Sequence, residues 1–312
     1  MQDTLNIKGI IPPMVTPLTS EQEIDLEGTQ KLVEHLVNGG VHGIFILGTT
    51  GEAASLSLEK RLRFMQEVLQ LVDNKVPVLV GITDSIHEVS LEIAEKAGEL
   101  GASAVVSAPP FYYTLGQEEL IDYYEGLADR SPLPVFLYNM PSNTKIYFEL
   151  KTVMRLAQHP NIIGLKDSSG DSKYFQNLIF NLKEIPGFSL YVGPEEILAE
   201  TALMGGSGGI CGGANLFPEL YVQLYESVVQ KEYVRVMELQ RLVMEISNHL
   251  YTVGKHQSSY LKGVKAALDG LGLCRNIMAL PLQAFREKEY RIICNHLDFL
   301  RDKVNAHINN NK

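Results

Sequence analysis

Asn161-Ile162-Ile163-Gly164-Leu165-Lys166-Asp167 reads as a short strand that is buried on both faces and ends in a lysine. Apolar residues flank Gly164, Pro160 and Asn161 punctuate the start, and Ser168-Ser169-Gly170-Asp171 opens a loop. A strand that is apolar without alternation belongs to a sheet covered on both sides, which is the habit of parallel sheets. A lysine delivered by such a strand is an unusual placement. An isolated ammonium leaving water is costly, so a lysine there tends to lose its proton or find a partner. A neutral lysine amine attacks ketones and forms a Schiff base. The commoner fate of a strand-end lysine is to extend into water, so the reason for reading Lys166 otherwise must come from the rest of the chain.

Outward from this strand the same pattern repeats. Short apolar runs stand at 43–47, 77–80, 104–107, 134–138, 162–166, 188–192 and 208–211. Helical spacing fills the intervals, at 24–37, 57–72, 86–100, 117–128, 149–157, 174–182, 196–204 and 218–229. The opening run at 7–18 holds Pro12, Pro13 and Pro17, which argue against a helix and suit an early strand with a loop. About eight strand–helix units over roughly 230 residues predict an α/β chain folded as a closed (β/α)8 TIM barrel. A doubly wound open sheet is the alternative. The run Gly205-Gly206-Ser207-Gly208-Gly209 lacks the Gly-x-Gly-x-x-Gly order after a strand, so a dinucleotide fingerprint is not supported. Past Lys231 the texture becomes helical only, at 234–250, 260–268 and 282–304. The expected organisation is a barrel over residues 1–230 and a C-terminal helical extension over 231–312, with a frayed tail at Asn309-Asn310-Asn311-Lys312.

The 312 residues are enough for one large core, and 45% hydrophobic with 21% charged residues is ordinary for a globular chain. The formal charge of -10 comes without a basic stripe, so nucleic acid and anionic membrane are poor partners. Met1-Gln2-Asp3-Thr4 offers no secretory signal, and no apolar run is long enough to span a bilayer. Cys211, Cys274 and Cys294 are odd in number and far apart. Neither a disulfide framework nor a zinc spacing emerges, and a cytoplasmic location is expected.

In a (β/α)8 barrel the C-terminal strand ends face one mouth, where chemistry sits. Those ends carry Thr49 and Thr50, Tyr112, Tyr138 and Lys166, with Gly193 and Ile210 beyond. Such a set suits a ketone Schiff base. Lys166 attacks the carbonyl of a 2-oxo acid, and hydroxyls and amides near Gly48-Thr49-Thr50-Gly51 hold its carboxylate. Tyr138 shuttles the proton to and from the departing oxygen. Taken singly, a strand-end tyrosine is more often packing and Gly-Thr-Thr-Gly more often a turn. Their shared position at strand ends shifts the balance.

Gly48-Thr49-Thr50-Gly51-Glu52, Pro109-Pro110-Phe111-Tyr112-Tyr113, Tyr138-Asn139-Met140-Pro141 and Gly164-Leu165-Lys166-Asp167 stand in order along nearly the whole chain. In these motifs the chain resembles the dihydrodipicolinate synthase / N-acetylneuraminate lyase family of class I pyruvate-dependent aldolases. The resemblance implies Lys166 as the Schiff-base lysine and Tyr138 as the proton shuttle. It implies that Thr49 relays protons between Tyr138 and Tyr112 of a neighbouring subunit. It implies that Thr50, with the amide of Thr49, binds the pyruvate carboxylate, and that the Ile210 carbonyl lines that pocket. It further implies a homotetramer built as a dimer of dimers, and no metal or organic cofactor, the covalent imine on Lys166 serving as electron sink.

Two departures bear on the substrate. The synthases carry an arginine where this chain has Asn143, and Thr144-Lys145 follows where Thr-Gly is common. Asparagine cannot replace a bidentate, charged fork. Lys145 would supply charge only as a point donor from another direction. The segment Val192-Gly193-Pro194-Glu195-Glu196 aligns with the part of the lyases that contacts sugar hydroxyls. Glu195 and Glu196 are read either as acceptors for a polyol or as the acidic first turn of a helix. The expected activity is a lyase joining or splitting pyruvate and an aldehyde, on a 2-oxo-3-deoxy sugar acid or a sialic acid. Three alternatives stand beside it: dihydrodipicolinate synthase acting on pyruvate and aspartate semialdehyde, a 2-oxo-3-deoxy acid dehydratase of the same family, and a non-catalytic barrel that binds a 2-oxo acid.

Overall fold

The structure, a computed structural model, describes residues 7–309. Met1-Gln2-Asp3-Thr4 and Asn310-Asn311-Lys312 of the tail lie outside the described residues. The eight strands are β1 (Gly9–Ile10), β2 (Ile44–Ile46), β3 (Val78–Gly81), β4 (Ala104–Ser107), β5 (Val135–Asn139), β6 (Ile162–Asp167), β7 (Ser189–Val192) and β8 (Gly208–Gly209). All pairings are parallel, in the order β1-β8-β7-β6-β5-β4-β3-β2. The remaining seam joins the chain after β1 to β2. There Pro12 and Pro13 have no N–H to give, so the seam runs largely on their side's carbonyls. Phe45 donates its amide to the Pro12 carbonyl at 2.9 Å and His42 donates to Ile10 at 2.9 Å, while Met14 donates to Phe45 at 2.8 Å. The ring therefore closes, as the sequence pattern predicts, and the prolines account for β1 being only two residues long.

The apolar residues divide between two cores. Ile11, Phe45, Leu79, Val106, Phe136, Tyr138, Tyr191 and Ile210 fill the barrel interior. The larger core lies between barrel and helices and includes Ile44, Ile46, Val105, Leu137 and Leu165. On β5 the alternation is visible directly: Phe136 and Tyr138 point in, Val135 and Leu137 point out. Gly164 pairs with Phe136, and a Cβ there would lie 2.4 Å from the Phe136 ring and 2.5 Å from the Ser189 carbonyl oxygen. The glycine lets the ring cross the barrel beneath Lys166.

Helices α1 (Leu26–Asn38), α2 (Leu58–Val72), α3 (His87–Glu99), α4 (Gln117–Arg130), α5 (Pro141–Thr144), α6 (Leu150–Leu156), α7 (Ser172–Leu182), α8 (Leu198–Leu203) and α9 (Pro218–Val229) lie between or after the strands. Caps set several starts: Asp25 accepts from the Gly28 amide at 3.2 Å, Ser57 from Lys60 at 3.3 Å, and Asp171 from Tyr174 at 3.0 Å. α10 (Tyr233–Ile246) continues into a π-helical segment, Ser247–Tyr251, before α11 (Ser259–Gly270) and α12 (Glu287–Asn309). Among the described residues no helix is long and apolar enough to cross a membrane.

Three boundaries differ from the sequence reading. The last strand stops at Gly209, and Ile210 and Cys211 lead out of it, Ile210 still donating to the Val192 carbonyl at 2.8 Å. The helix expected at 196–204 begins as a 3-10 turn, Glu195–Ile197, because Gln240 of α10 takes the Ala199 amide and donates to the Glu195 carbonyl. The last helix begins at Glu287, and residues 282 to 286 form an irregular connection whose Leu282 lines the cavity described below.

Candidate active site

Lys166 stands at the C-terminal end of β6, level with Tyr138 on β5 and Tyr191 on β7. It is only 4% exposed, so the strand keeps it in the barrel and does not release it to water. Its Nζ lies 4.3 Å from the centroid of the Tyr138 ring and 5.2 Å from that of Phe45. Among the described residues no carboxylate reaches ion-pair distance of it. A buried amine faced by two aromatic rings and no counter-ion is an arrangement suited to nucleophilic chemistry and of little use for stability.

The neighbouring hydroxyls come from the loop after β2. Leu47 and Glu52 bracket this loop in the left-handed region, at φ 57° and 56°. Residues with a Cβ rarely hold that conformation unless their surroundings enforce it. Here they do. Lys265 of α11 donates to Glu52 Oε1 at 2.5 Å, and the Ala279 amide donates to Oε2 at 2.7 Å. Lys265 and Glu52 are almost wholly buried, so the loop is pinned from the C-terminal helices. Thr16 Oγ1 adds a bond to the Gly51 carbonyl at 2.7 Å. Held this way, Thr49 Oγ1 lies 3.2 Å from the Tyr138 hydroxyl, and Thr50 Oγ1 lies 3.1 Å from the hydroxyl of Tyr260.

Lys166, Tyr138, Thr49, Thr50, Ile210, Asn143, Gly193, Glu195 and Glu196 all line one cavity of about 520 Å³. A larger cleft of about 620 Å³, with the exposed lysines Lys8, Lys183 and Lys231 on its wall, receives none of these residues. Its volume does not make it the centre of the chemistry. Gly193 packs against Ser168, where an added Cβ would lie 2.1 Å from the serine Oγ. Asn143 sits exposed on the one-turn helix α5 at the rim. Lys145 is exposed, donates its Nζ back to the Ser142 carbonyl at 2.5 Å and does not line the cavity. Tyr112 is not brought to Thr49 within this chain: it lies 77% exposed, with Tyr113 at 75%.

Glu195 and Glu196 part company. Glu195 is buried, and both its oxygens are taken from inside the protein: Tyr221 and Tyr251 donate to Oε1 at 2.6 Å each, and the Gly213 amide donates to Oε2 at 2.9 Å. Burial pushes its carboxyl up to about 7 against the downward pull of these three bonds. It is therefore poorly free to receive a ligand hydroxyl. Glu196 is half-buried and takes one bond, from the Ser247 hydroxyl, which leaves it acceptor capacity towards the cavity.

Sequence reasoning missed Tyr251, Gln257, Ser258, Tyr260 and Leu282, which bring the helical extension into the cavity wall. In sequence they look like helix packing and loop, and no local pattern announces them. Among the described residues no group of three or more His, Cys, Asp or Glu is gathered as a metal site would need.

Comparison with known proteins gives a consistent set of likenesses. The family model described as Dihydrodipicolinate synthetase family matches residues 6–298. The chain is 30% identical to a relative from Escherichia coli K12 named "Probable 2-dehydro-3-deoxy-D-pentonate aldolase", over 91% of this chain and 94% of the relative. It resembles the solved structure of dihydrodipicolinate synthase from Bacteroides thetaiotaomicron with a TM-score of 0.91 and 48% identity, over 95% of this chain and all 100% of that one. A prophage protein of the dihydrodipicolinic acid synthase family from Escherichia coli K12, solved in complex with pyruvate, is similar with a TM-score of 0.90 and 28% identity, over 94% and 98% of the two chains.

Proposed function

Because the chain belongs to the dihydrodipicolinate synthetase family and is a pyruvate-dependent aldolase, we propose that Lys166 forms the imine and that the aldehyde partner is neutral and hydroxylated. The observation that carries this reading is the Lys166 amine, buried without a carboxylate partner beside the Tyr138–Thr49 hydroxyl pair. Nζ adds to the ketone carbon of the 2-oxo acid, and the oxygen leaves as water after receiving protons through Tyr138 and Thr49. The resulting imine draws electron density from the adjacent carbon. In the cleavage direction the C3–C4 bond breaks, its electrons pass into the enamine, and the C4 hydroxyl gives up its proton as the aldehyde departs. Protonation of the enamine and hydrolysis then release pyruvate and free lysine. The substrate carboxylate lies against the Thr49 amide and the Thr50 hydroxyl, with the Ile210 carbonyl closing that end.

The wall facing the aldehyde half supports a polyol. Ser142, Asn143, Ser168, Gln257 and Ser258 are neutral, and Glu196 is an acceptor. Among the described residues, Lys166 is the one cationic side chain that lines the cavity. An aldehyde bearing its own carboxylate finds no charge-assisted fork there, and such contacts are about twice as strong as neutral ones. The favoured substrate class is accordingly a 2-oxo-3-deoxy sugar acid or a sialic acid. The 48% identity to a dihydrodipicolinate synthase favours a second reading, condensation of pyruvate with aspartate semialdehyde.

Borohydride added with pyruvate should leave a reduced pyruvyl adduct on Lys166, located by mass spectrometry, and Lys166→Ala should abolish it. Labelling elsewhere, or none, would sink the mechanism. The two substrate readings separate by kcat/KM. The sugar-acid reading requires better turnover of a 2-oxo-3-deoxy sugar acid than of pyruvate with aspartate semialdehyde, and a shift towards the semialdehyde in Asn143→Arg. A wild-type preference for the semialdehyde establishes the second reading.

A further inference from the structure

We propose that Tyr260 is a positioning residue for the 2-oxo acid: its hydroxyl donates to Thr50 Oγ1 and so aims the Thr50 proton at the substrate carboxylate. This rests on the assignment of Thr50 and Lys166 above. The two hydroxyl oxygens lie 3.1 Å apart, and geometry alone allows either to donate. Chemistry decides between them. A carboxylate only accepts, so Thr50 must spend its single proton on the ligand. Its oxygen is then left to accept, and Tyr260 is the donor placed to satisfy it. Burial, followed by the nearby charge of Glu195, raises the Tyr260 phenol, so the donor keeps its proton at any physiological pH.

The surroundings fix Tyr260 more firmly than a packing tyrosine needs. Its ring meets that of Tyr251 edge-on, with centroids 4.8 Å apart. Tyr251 is in turn held by the Glu195 carboxylate at 2.6 Å. On the other side Gly212 leaves room for the phenol: a Cβ there would lie 1.7 Å from the Tyr260 oxygen. Glu195, Gly212 and Tyr251 thus come from three separate parts of the chain to place one hydroxyl beside Thr50. The helical extension then does more than cover the barrel, since it sets the direction of a donor at the end of β2.

The test uses the full-length enzyme and reads imine formation by borohydride trapping, which requires no knowledge of the aldehyde. Tyr260→Phe keeps the ring and removes the donor. The pyruvate concentration giving half-maximal labelling of Lys166 should rise about tenfold, the loss expected for one hydrogen bond serving a charged group. Maximal labelling should stay within about twofold, since the amine itself is untouched. Gly212→Ala, which crowds the phenol from the opposite side, should raise the half-maximal concentration in the same direction. In a Thr50→Val background Tyr260→Phe should add no further rise, because the residue it acts through is gone. Half-maximal labelling that stays at the wild-type concentration in a folded Tyr260→Phe overturns the proposal, as does a fall in maximal labelling alone. Equal rises in the Thr50 and Thr50→Val backgrounds overturn it too, by showing that Tyr260 acts without Thr50. A wild type that gives no adduct on Lys166 at any pyruvate concentration overturns the imine reading itself, and the role of Tyr260 with it.

Discussion

A carboxylate that accepts three hydrogen bonds would ordinarily ionise with ease, yet burial holds Glu195 up to about 7. The consequence is a stability that depends on pH with a definite sign. In the unfolded chain this group releases its proton near the ordinary carboxyl value of 4.5, whereas the folded chain keeps it until about 7. Its contribution is therefore fully present below the unfolded value and is lost as the pH rises through the folded one, at about 1.4 kcal/mol per pH unit. Wild type should lose stability from pH 5 to pH 8 relative to Glu195→Gln, by about 3 kcal/mol at most. Urea denaturation of both proteins at the two pH values reads the difference, and parallel behaviour of the pair would refute the buried, late-titrating carboxyl. At this scale the sequence was only half legible. Glu195 and Glu196 carry the same local signal, an acidic pair before a helix. Tyr221 and Tyr251, which claim one and leave the other, stand 26 and 56 residues further on. The placement of Lys166 and Tyr138 at strand ends was legible, because a polar side chain near the end of an otherwise apolar strand conflicts with its own surroundings, and that conflict is local.

The elements that carry the hydroxyls are tied to the helical extension by a buried ion pair, in addition to the Thr50–Tyr260 and Glu52–Ala279 contacts. Glu52 follows the Gly48–Gly51 turn and Lys265 lies 213 residues later, on α11. A buried pair adds little stability over an apolar replacement, but breaking one partner is severe, about 3–5 kcal/mol, because the other charge is stranded. Lys265→Met should cost that much in urea denaturation. The double change Glu52→Gln with Lys265→Met should recover part of it, since glutamine still accepts from the Ala279 amide and carries no charge. A loss below about 1 kcal/mol in Lys265→Met would mean that water or a rearranged loop relieves Glu52. The same elements show what a sequence conveys about fold. Strands such as β3 and β4, with every residue buried, announce a two-sided parallel sheet by composition alone. The helices between them announce themselves by spacing. α5 did not, because Pro141–Thr144 is a single turn and no periodicity fits in four residues. The start of α12 was placed too early because Leu282 looks like the first apolar position of the helix, whereas it lines the cavity wall. The ion pair was invisible for a different reason: neither residue is unusual in its own segment, and only the closed barrel brings them together.

At the scale of the whole molecule the unfinished feature is the loop Phe111-Tyr112-Tyr113. Three consecutive aromatic residues are 46%, 77% and 75% exposed, against the general tendency of such rings to be buried. Clustered exposed apolar surface marks an interaction site more often than scattered residues do. The site has a matching gap. The Tyr138 hydroxyl meets Thr49, but within this chain, among the described residues, no further hydroxyl continues the line. Beside that pair a second cavity of about 190 Å³ opens, with Phe45, Leu47, Ala54, Ala108 and Met140 in its wall. An apolar recess that ends on two hydroxyls suits a phenol, whose ring would fill the recess and whose oxygen would reach Thr49. The chain's own Tyr112 is exposed to solvent, and we predict that another copy supplies such a phenol. The prediction is that active enzyme is an oligomer, expected to be a tetramer, in which Tyr112 of one subunit completes the relay of its neighbour. Tyr112→Phe and Lys166→Ala should each be nearly inactive alone. Mixed after dissociation and reassembly, they should regain activity, because a hybrid contains a site with an intact lysine from one parent and an intact tyrosine from the other. Native mass spectrometry establishes that hybrids have formed, and pyruvate release measures the rescue. Hybrids that form and stay inactive would mean that Tyr112 serves no site but its own, and the exposed loop would then need a different partner.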